Sequence, residues 1–245
     1  MQSDAATPAP ARISSRPSGS LALAWCVHAL TASGAGIGTL ALVAISRGAL
    51  EVAGILMLVA LAVDSVDGSL ARRLRVSELV PQIDGRRLDD VVDFLNYAVV
   101  PVVLMVWIGA LPAPLAAVPV LASAYGFAQR DAKTEDDFFL GWPSYWNVVA
   151  LYVWRLEVSA PVALALVLFF SAAVFVPLKY IYPSKLRAWR RTTGVAAALW
   201  MLAMAVVVAW PERARPLHLA PISLLLPAWY VALSAWLGRW GRRSN

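Results

Sequence analysis

Cysteine is all but missing. Cys26 stands alone in 245 residues, so no internal disulfide can form and no oxidising compartment is implied. Lysine is nearly as scarce: Lys133, Lys179 and Lys185 are the only ones among 21 basic residues, and with the abundant alanine this points to a GC-rich bacterial genome. Histidine is limited to His28 and His218, neither with a second His or Cys at ligand spacing, so both read as packing or interface residues. Charge as a whole is thin, at 15% against about 25% in a soluble domain. Hydrophobic residues make up 60%, and the mean hydropathy is +0.66. These shortages exclude an ordinary soluble enzyme and describe one helical domain in a membrane. The net charge of +6 suits an anionic bilayer surface, and nucleic acid is not an expected partner of so apolar a chain.

The fold class expected is all-α, a polytopic bundle of about eight transmembrane helices. Residues 1–18, rich in Ala, Pro and Ser, read as a disordered cytoplasmic tail, and 19–245 as the membrane domain. The apolar run after the tail is too long for a signal-peptide core, so it is expected to remain as a membrane helix. Hydrophobic spans fall near 20–46, 50–73, 88–110, 112–130, 141–156, 159–182, 191–210 and 217–238. The fifth is short, and Arg155 with Glu157 interrupts the fifth and sixth, which leaves one long bent element as the other reading. With the N-terminus inside, 17 of the 21 basic residues fall on inner segments, leaving Arg47, Arg155, Arg213 and Arg215 outside. That bias predicts N-in and C-in.

Four aspartates lie in or beside these spans, in the pattern Asp64-x2-Asp67-Gly68-x2-Ala71-Arg72-x12-Gly85-x3-Asp89-x3-Asp93. A carboxylate at the centre of a membrane helix costs about 2.5–3.5 kcal/mol even on a lenient insertion scale. Steps of three and four put Asp64, Asp67, Gly68, Ala71 and Arg72 on one stripe of the second helix. Steps of four put Gly85, Asp89 and Asp93 on one stripe of the third. The polar loop between them, with Pro81, lets the stripes face each other. Carboxylates that close cannot all stay ionised without a cation, and hard divalent ions prefer carboxylate oxygens. Gly68 and Ala71 leave room for a flat phosphorylated ligand, and Arg72 offers a planar fork of donors to phosphate. Metal, small residues and arginine together describe a pyrophosphate site. A structural salt-bridge cluster and an ion pathway in a transporter are the competing readings. Acids inside a membrane default to function, which disfavours the first. The acids gathered at one membrane face, with Gly and Ala at fixed offsets, fit the second poorly.

The pattern resembles the signature of the CDP-alcohol phosphotransferase family. Twelve residues rather than the usual eight separate Arg72 from Gly85, and this longer gap, with the segment Phe139-Leu140-Gly141-Trp142-Pro143-Ser144-Tyr145-Trp146-Asn147, resembles the bacterial phosphatidylcholine synthase branch of that family. The resemblance implies that Asp64, Asp67, Asp89 and Asp93 bind Mn2+ or Mg2+, two ions in all. It makes Asp93 the general base, and Asp64, Gly68, Ala71, Arg72 and Gly85 the CDP-diacylglycerol site. It further implies attack by choline on CDP-diacylglycerol at the cytoplasmic face of a bacterial inner membrane, giving phosphatidylcholine and CMP. Serine, inositol or glycerol phosphate are the alternative alcohols. Members often form homodimers, though no stretch of this chain marks an interface.

Quaternary ammonium ions are held by aromatic faces. Tyr97, one turn beyond Asp93, and Tyr145 and Trp146 in the branch-like segment are the candidates for choline, against a background of 11 Trp and 7 Tyr that mostly serve as interface anchors. Asn147 either orients substrate or satisfies helix backbone. The acidic run Glu135-Asp136-Asp137 reads as a solvated loop. The basic patch Lys179, Lys185, Arg187, Arg190 and Arg191 reads equally as an orientation signal and as a guide for the nucleotide headgroup. Asp84 and Asp90 lie outside the motif.

Overall fold

The structure, a computed structural model, describes residues 18–129, 134, 136, 138–182 and 190–240. It is dominated by helix, in agreement with the composition. Of the expected tail at 1–18, Ser18 begins the first helix and residues 1–17 lie outside the described residues, as do Glu135, Asp137, Lys185 and Arg187 and the side chain of Arg190.

The first helix, α1 (Ser18–Ser46), runs 29 residues and turns through Gly48 into α2 (Leu50–Arg73), which packs back along it. Arg75, in left-handed backbone, starts a one-turn helix, α3 (Val76–Leu79), whose Val76 joins Val80 under Ala24 and Val27 of α1. The long loop is therefore packed rather than loose. Asp84 ends it: its side chain accepts hydrogen bonds from the backbone of Arg86 and Arg87 and so starts α4 (Gly85–Asp93). Asp84 thus has a structural job.

After α4 the helix widens into a π-helical stretch at Phe94–Val99 and then continues as α5 (Val100–Trp107). The Val100 N–H bonds the Leu95 carbonyl, five residues back. Pro101 follows and has no N–H to contribute, which loosens the ordinary four-residue ladder at this point. A short 3-10 turn at Ala113–Ala116 leads into α6 (Ala117–Ala128). Next come α7 (Trp146–Arg155), α8 (Ala160–Ala173), α9 (Arg190–Ala209), the short α10 (Pro211–Ala214) and α11 (Leu219–Ser223), and α12 (Leu225–Trp240).

Eight apolar spans are not confirmed. Helical segments lie in all eight places, but among the described residues four are long and apolar enough to cross a membrane: Ser20–Ser46, Gly85–Trp107, Arg191–Ala209 and Leu219–Gly238. The 24-residue α2 carries Glu51, Asp64 and Asp67. Ala113–Ala128 and Ala160–Ala173 are apolar but shorter. The fifth expected span shrinks to the ten residues of α7, about 15 Å at 1.5 Å per residue and half the hydrocarbon thickness. Glu157 in left-handed backbone ends it, so the fifth and sixth segments are separate helices.

A small antiparallel sheet, β1 (Phe138–Leu140) with β2 (Lys179–Ile181), pairs Phe139 with Tyr180 and adds strand to the expected all-α fold. Lys179 Nζ lies 2.6 Å from Asp136 Oδ2 and holds that carboxyl below the usual carboxylate range, so part of the acidic run and part of the basic patch serve each other. The sheet docks on α12 through Ser234 Oγ, which accepts from the Ile181 N–H at 3.1 Å, and Tyr230, whose hydroxyl donates to the Ile181 carbonyl at 3.0 Å. The main core is built by α1, α2, α5, α7 and α9, around Ile45, Met57, Leu104, Leu151 and Met204.

Candidate metal and nucleotide site

Asp64 on α2 and Asp89 and Asp93 on α4 converge. Each offers a carboxylate oxygen, and the three oxygens all lie within 4.8 Å of one another. An ion held at about 2.0–2.6 Å from each of its ligands has them no more than about 4–5 Å apart, so the group fits one divalent cation. A small cavity between the helices is lined by all of these carboxylates. Asp67 is 3% exposed and lines the same cavity, but stands outside the three-carboxylate group. All four expected aspartates therefore face one space, with three drawn tightly together.

The third wall comes from α1, through Thr31 and Gly34. A Cβ at residue 34 would lie 2.6 Å from Val92 Cγ1, and one at residue 38 would lie 2.7 Å from Asn96 Oδ1. Only glycine lets α1 approach α4 and the wide turn this closely. Asn96, 6% exposed, bolts the contact by donating from Nδ2 to the carbonyls of Gly34, at 2.9 Å, and Val92, at 3.0 Å. The register of the aspartates thus depends on a helix that carries none of them.

Tyr97 sits in the wide turn and is 6% exposed. Its hydroxyl donates to Asp64 Oδ2 at 2.6 Å, tying the aspartate of α2 to the helix of the other two. This hydrogen bond orients a carboxylate of the cluster from behind, a role that the aromatic-cage expectation did not include. Partners of this kind typically govern metal affinity or activity by about 10–100-fold. Tyr97→Phe should therefore raise the concentration of Mn2+ needed for half-maximal activity by about tenfold or more, while keeping the ring. Titration of activity against Mn2+ checks it, and an unchanged curve would remove the tie from the site.

Toward the C-terminal end of α2, Arg72 folds back over Gly68. Its Nη2 lies 3.3 Å from Ser69 Oγ, and a Cβ on Gly68 would meet Nη1 at 3.4 Å. Arg72 is exposed and Ala71 and Gly85 lie at the same end, so small residues and a guanidinium flank the carboxylates as a pyrophosphate pocket needs.

Similarity to known proteins follows the same lines. No family model matches the chain. The phosphatidylcholine synthase of Borreliella burgdorferi is 33% identical over 223 residues, covering 88% of this chain and 94% of that protein. That of Pseudomonas aeruginosa is 32% identical over 221 residues, 89% of this chain and 90% of its own length. That of Legionella pneumophila is 44% identical over 168 residues, 66% of each. The chain belongs to the phosphatidylcholine synthase family. The CDP-alcohol phosphotransferase resemblance of its aspartate pattern is consistent with that membership.

Of the aromatics expected to hold choline in this family member, Tyr145 stands beside the cluster. Ser144, in left-handed backbone, aims it from the start of α7, with its ring 6.2 Å from that of Tyr97 and 5.9 Å from that of Tyr230. Trp146 does not join them. It is 0% exposed, donates from Nε1 to Ser123 Oγ at 2.8 Å, and packs on Trp142 and Phe170. A full indole with one polar handle is easily satisfied inside the core, and here it is. Asn147 takes the structural option: buried, it accepts from the Val148 N–H at 2.9 Å. Thr31, Gly34, Asn96 and Tyr230 were not anticipated. Gly34-x-Gly36-x-Gly38 at small-residue spacing and an amide in the middle of an apolar helix were the available signals for Gly34 and Asn96. Nothing in the sequence links Tyr230 to Tyr145.

Proposed function

We propose that the protein transfers the phosphatidyl group of CDP-diacylglycerol to choline, giving phosphatidylcholine and CMP. The observation that carries this reading is the convergence of Asp64, Asp89 and Asp93 within 4.8 Å, in a chain related to phosphatidylcholine synthases. The choline oxygen attacks the lipid-linked phosphorus, the phosphoanhydride bond to CMP breaks, and CMP leaves with the bridging oxygen. Asp93 takes the hydroxyl proton as the new bond forms. Bound Mn2+ or Mg2+, one or two ions, supplies neutralising charge for the pyrophosphate and the departing CMP. Asp64, Asp89 and Asp93 hold the first ion, and Asp67 adds the fourth carboxylate. Gly68, Ala71 and Gly85 let the nucleotide reach the helix backbones, and Arg72 grips its phosphate.

Residues 19–245 act as one membrane domain with both ends inside, set in a bacterial inner membrane, so that this face opens to cytoplasmic choline. Tyr145 offers its ring to the trimethylammonium group. A desolvated cation–π contact is worth about 0.5–2 kcal/mol, so Tyr145→Ala should raise the choline KM about 2- to 30-fold with the CDP-diacylglycerol KM unmoved. Equal choline kinetics in both proteins would take Tyr145 out of the alcohol site. The reading as a whole is tested with purified protein, Mn2+ and CDP-diacylglycerol, offering labelled choline, serine, inositol and glycerol phosphate in turn. Lipid product with choline alone is expected. Product with another alcohol redirects the specificity, and the absence of CMP release with every alcohol returns the acids to a transport role.

A further inference from the structure

His28 is an unexplained group. It is 8% exposed on α1, and its Nε2 is buried with no hydrogen-bond partner among the described residues. Buried ring nitrogens are ordinarily paired, because desolvation without a partner costs free energy. The position of the ring is informative. A Cβ on Gly85 would lie 3.3 Å from His28 Cε1 and 3.8 Å from Nδ1, so the Cε1–Nδ1 edge of the imidazole faces the first residue of α4. One turn farther along α1, Thr31 lines the carboxylate cavity; one turn back, Ala24 packs with Val27, the residue next to His28, in the cluster that Ala71 borders. His28 therefore lies against Gly85 of the proposed nucleotide site, one turn along α1 from the carboxylate cavity. Glycine at 85 has a second meaning here, since any side chain would press on the ring.

On these grounds, and resting on the proposed function, we infer that His28 is a binding residue for the nucleotide part of CDP-diacylglycerol, its Nε2 forming a hydrogen bond with a polar group of the cytidine diphosphate. The choline site lies on the opposite flank, near Tyr145. Two variants separate binding from packing. His28→Phe keeps an aromatic ring and removes both nitrogens; His28→Gln restores a polar group in a different shape. Equilibrium binding of CMP to the purified protein with Mn2+, and the KM values for both substrates, are measured for each. His28→Phe should weaken CMP binding and raise the CDP-diacylglycerol KM about tenfold, with the choline KM and the thermal midpoint close to wild type; His28→Gln should recover part of the loss. His28→Phe folded and binding CMP as wild type does, with an unchanged lipid KM, would leave His28 a packing residue and overturn the inference alone; so would a loss of CMP binding in His28→Phe that His28→Gln does not relieve at all. If the wild-type protein itself neither binds CMP nor releases it from CDP-diacylglycerol, the proposed function falls and this inference with it.

Discussion

Asp93→Asn should cut CMP release from CDP-diacylglycerol by at least about 100-fold, the lower bound for losing a positioned general base. Asparagine matches aspartate in shape, so the α4 helix and its junction with the wide turn are preserved. What goes is a negative charge and a proton acceptor. Asp93 is one of three carboxylates within 4.8 Å, so the substitution touches both cation affinity and proton transfer. The two are separable. If only affinity is lost, a large excess of Mn2+ restores the rate; if the proton has nowhere to go, saturating Mn2+ leaves the rate low. The second outcome is expected. A rate near wild type with Mn2+ bound would assign the proton to another group.

Chelation should have the other large effect. Stripping divalent ions with EDTA is expected to abolish turnover, and Mn2+ or Mg2+ to restore it. The physical reason is mutual repulsion among Asp64, Asp89 and Asp93, with the buried Asp67 beside them. The same repulsion makes the ion a folding ligand. At a free concentration of 100 times its Kd, a cation that binds only the native state stabilises it by about 2.7 kcal/mol. For a chain of this size that is roughly a 5–10 °C rise in thermal midpoint. Calorimetry or a thermal-shift series against Mn2+ reads it, and calcium or magnesium titrations in parallel report how selective the oxygens are. A protein that turns over normally in EDTA, with a midpoint blind to Mn2+, would leave the carboxylate cluster without a cation.

Much of the site was legible because its spacing is helical. Steps of three and four fix which acids share a stripe, whatever the surrounding fold, and Asp64, Asp89 and Asp93 meet as those stripes require. Residues whose placement depends on distant partners were not legible. Trp146 and Tyr145 are neighbours in sequence, yet a left-handed residue at Ser144 sends one ring beside Tyr97 and leaves the other in the core. The span count misled for a related reason. Hydrophobicity marks α7 as apolar, but six of its ten residues are buried inside the protein and the other four half-buried, and composition does not distinguish burial by protein from burial by lipid. Three-residue strands carry no period long enough to read, which hid the β1–β2 pair. The contribution of α1 was written in its glycines and its buried histidine, groups that look inert until the helix they touch is known.

The widened turn at Phe94–Val99 has a consequence for how this chain can change. Each residue of an ordinary helix rotates the chain by about 100°. Winding these same residues as an ordinary helix would swing α5 by about that angle against α4, unseating Tyr97 from Asp64 while the acidic end stayed put, whereas removing one residue as the turn tightens would leave α5 near its present setting. The loose coil takes up one residue's worth of rotation between the charged and greasy halves of one rod, so a change that tightens the winding with every residue kept should disturb Tyr97 more than a single-residue deletion that lets it tighten in register.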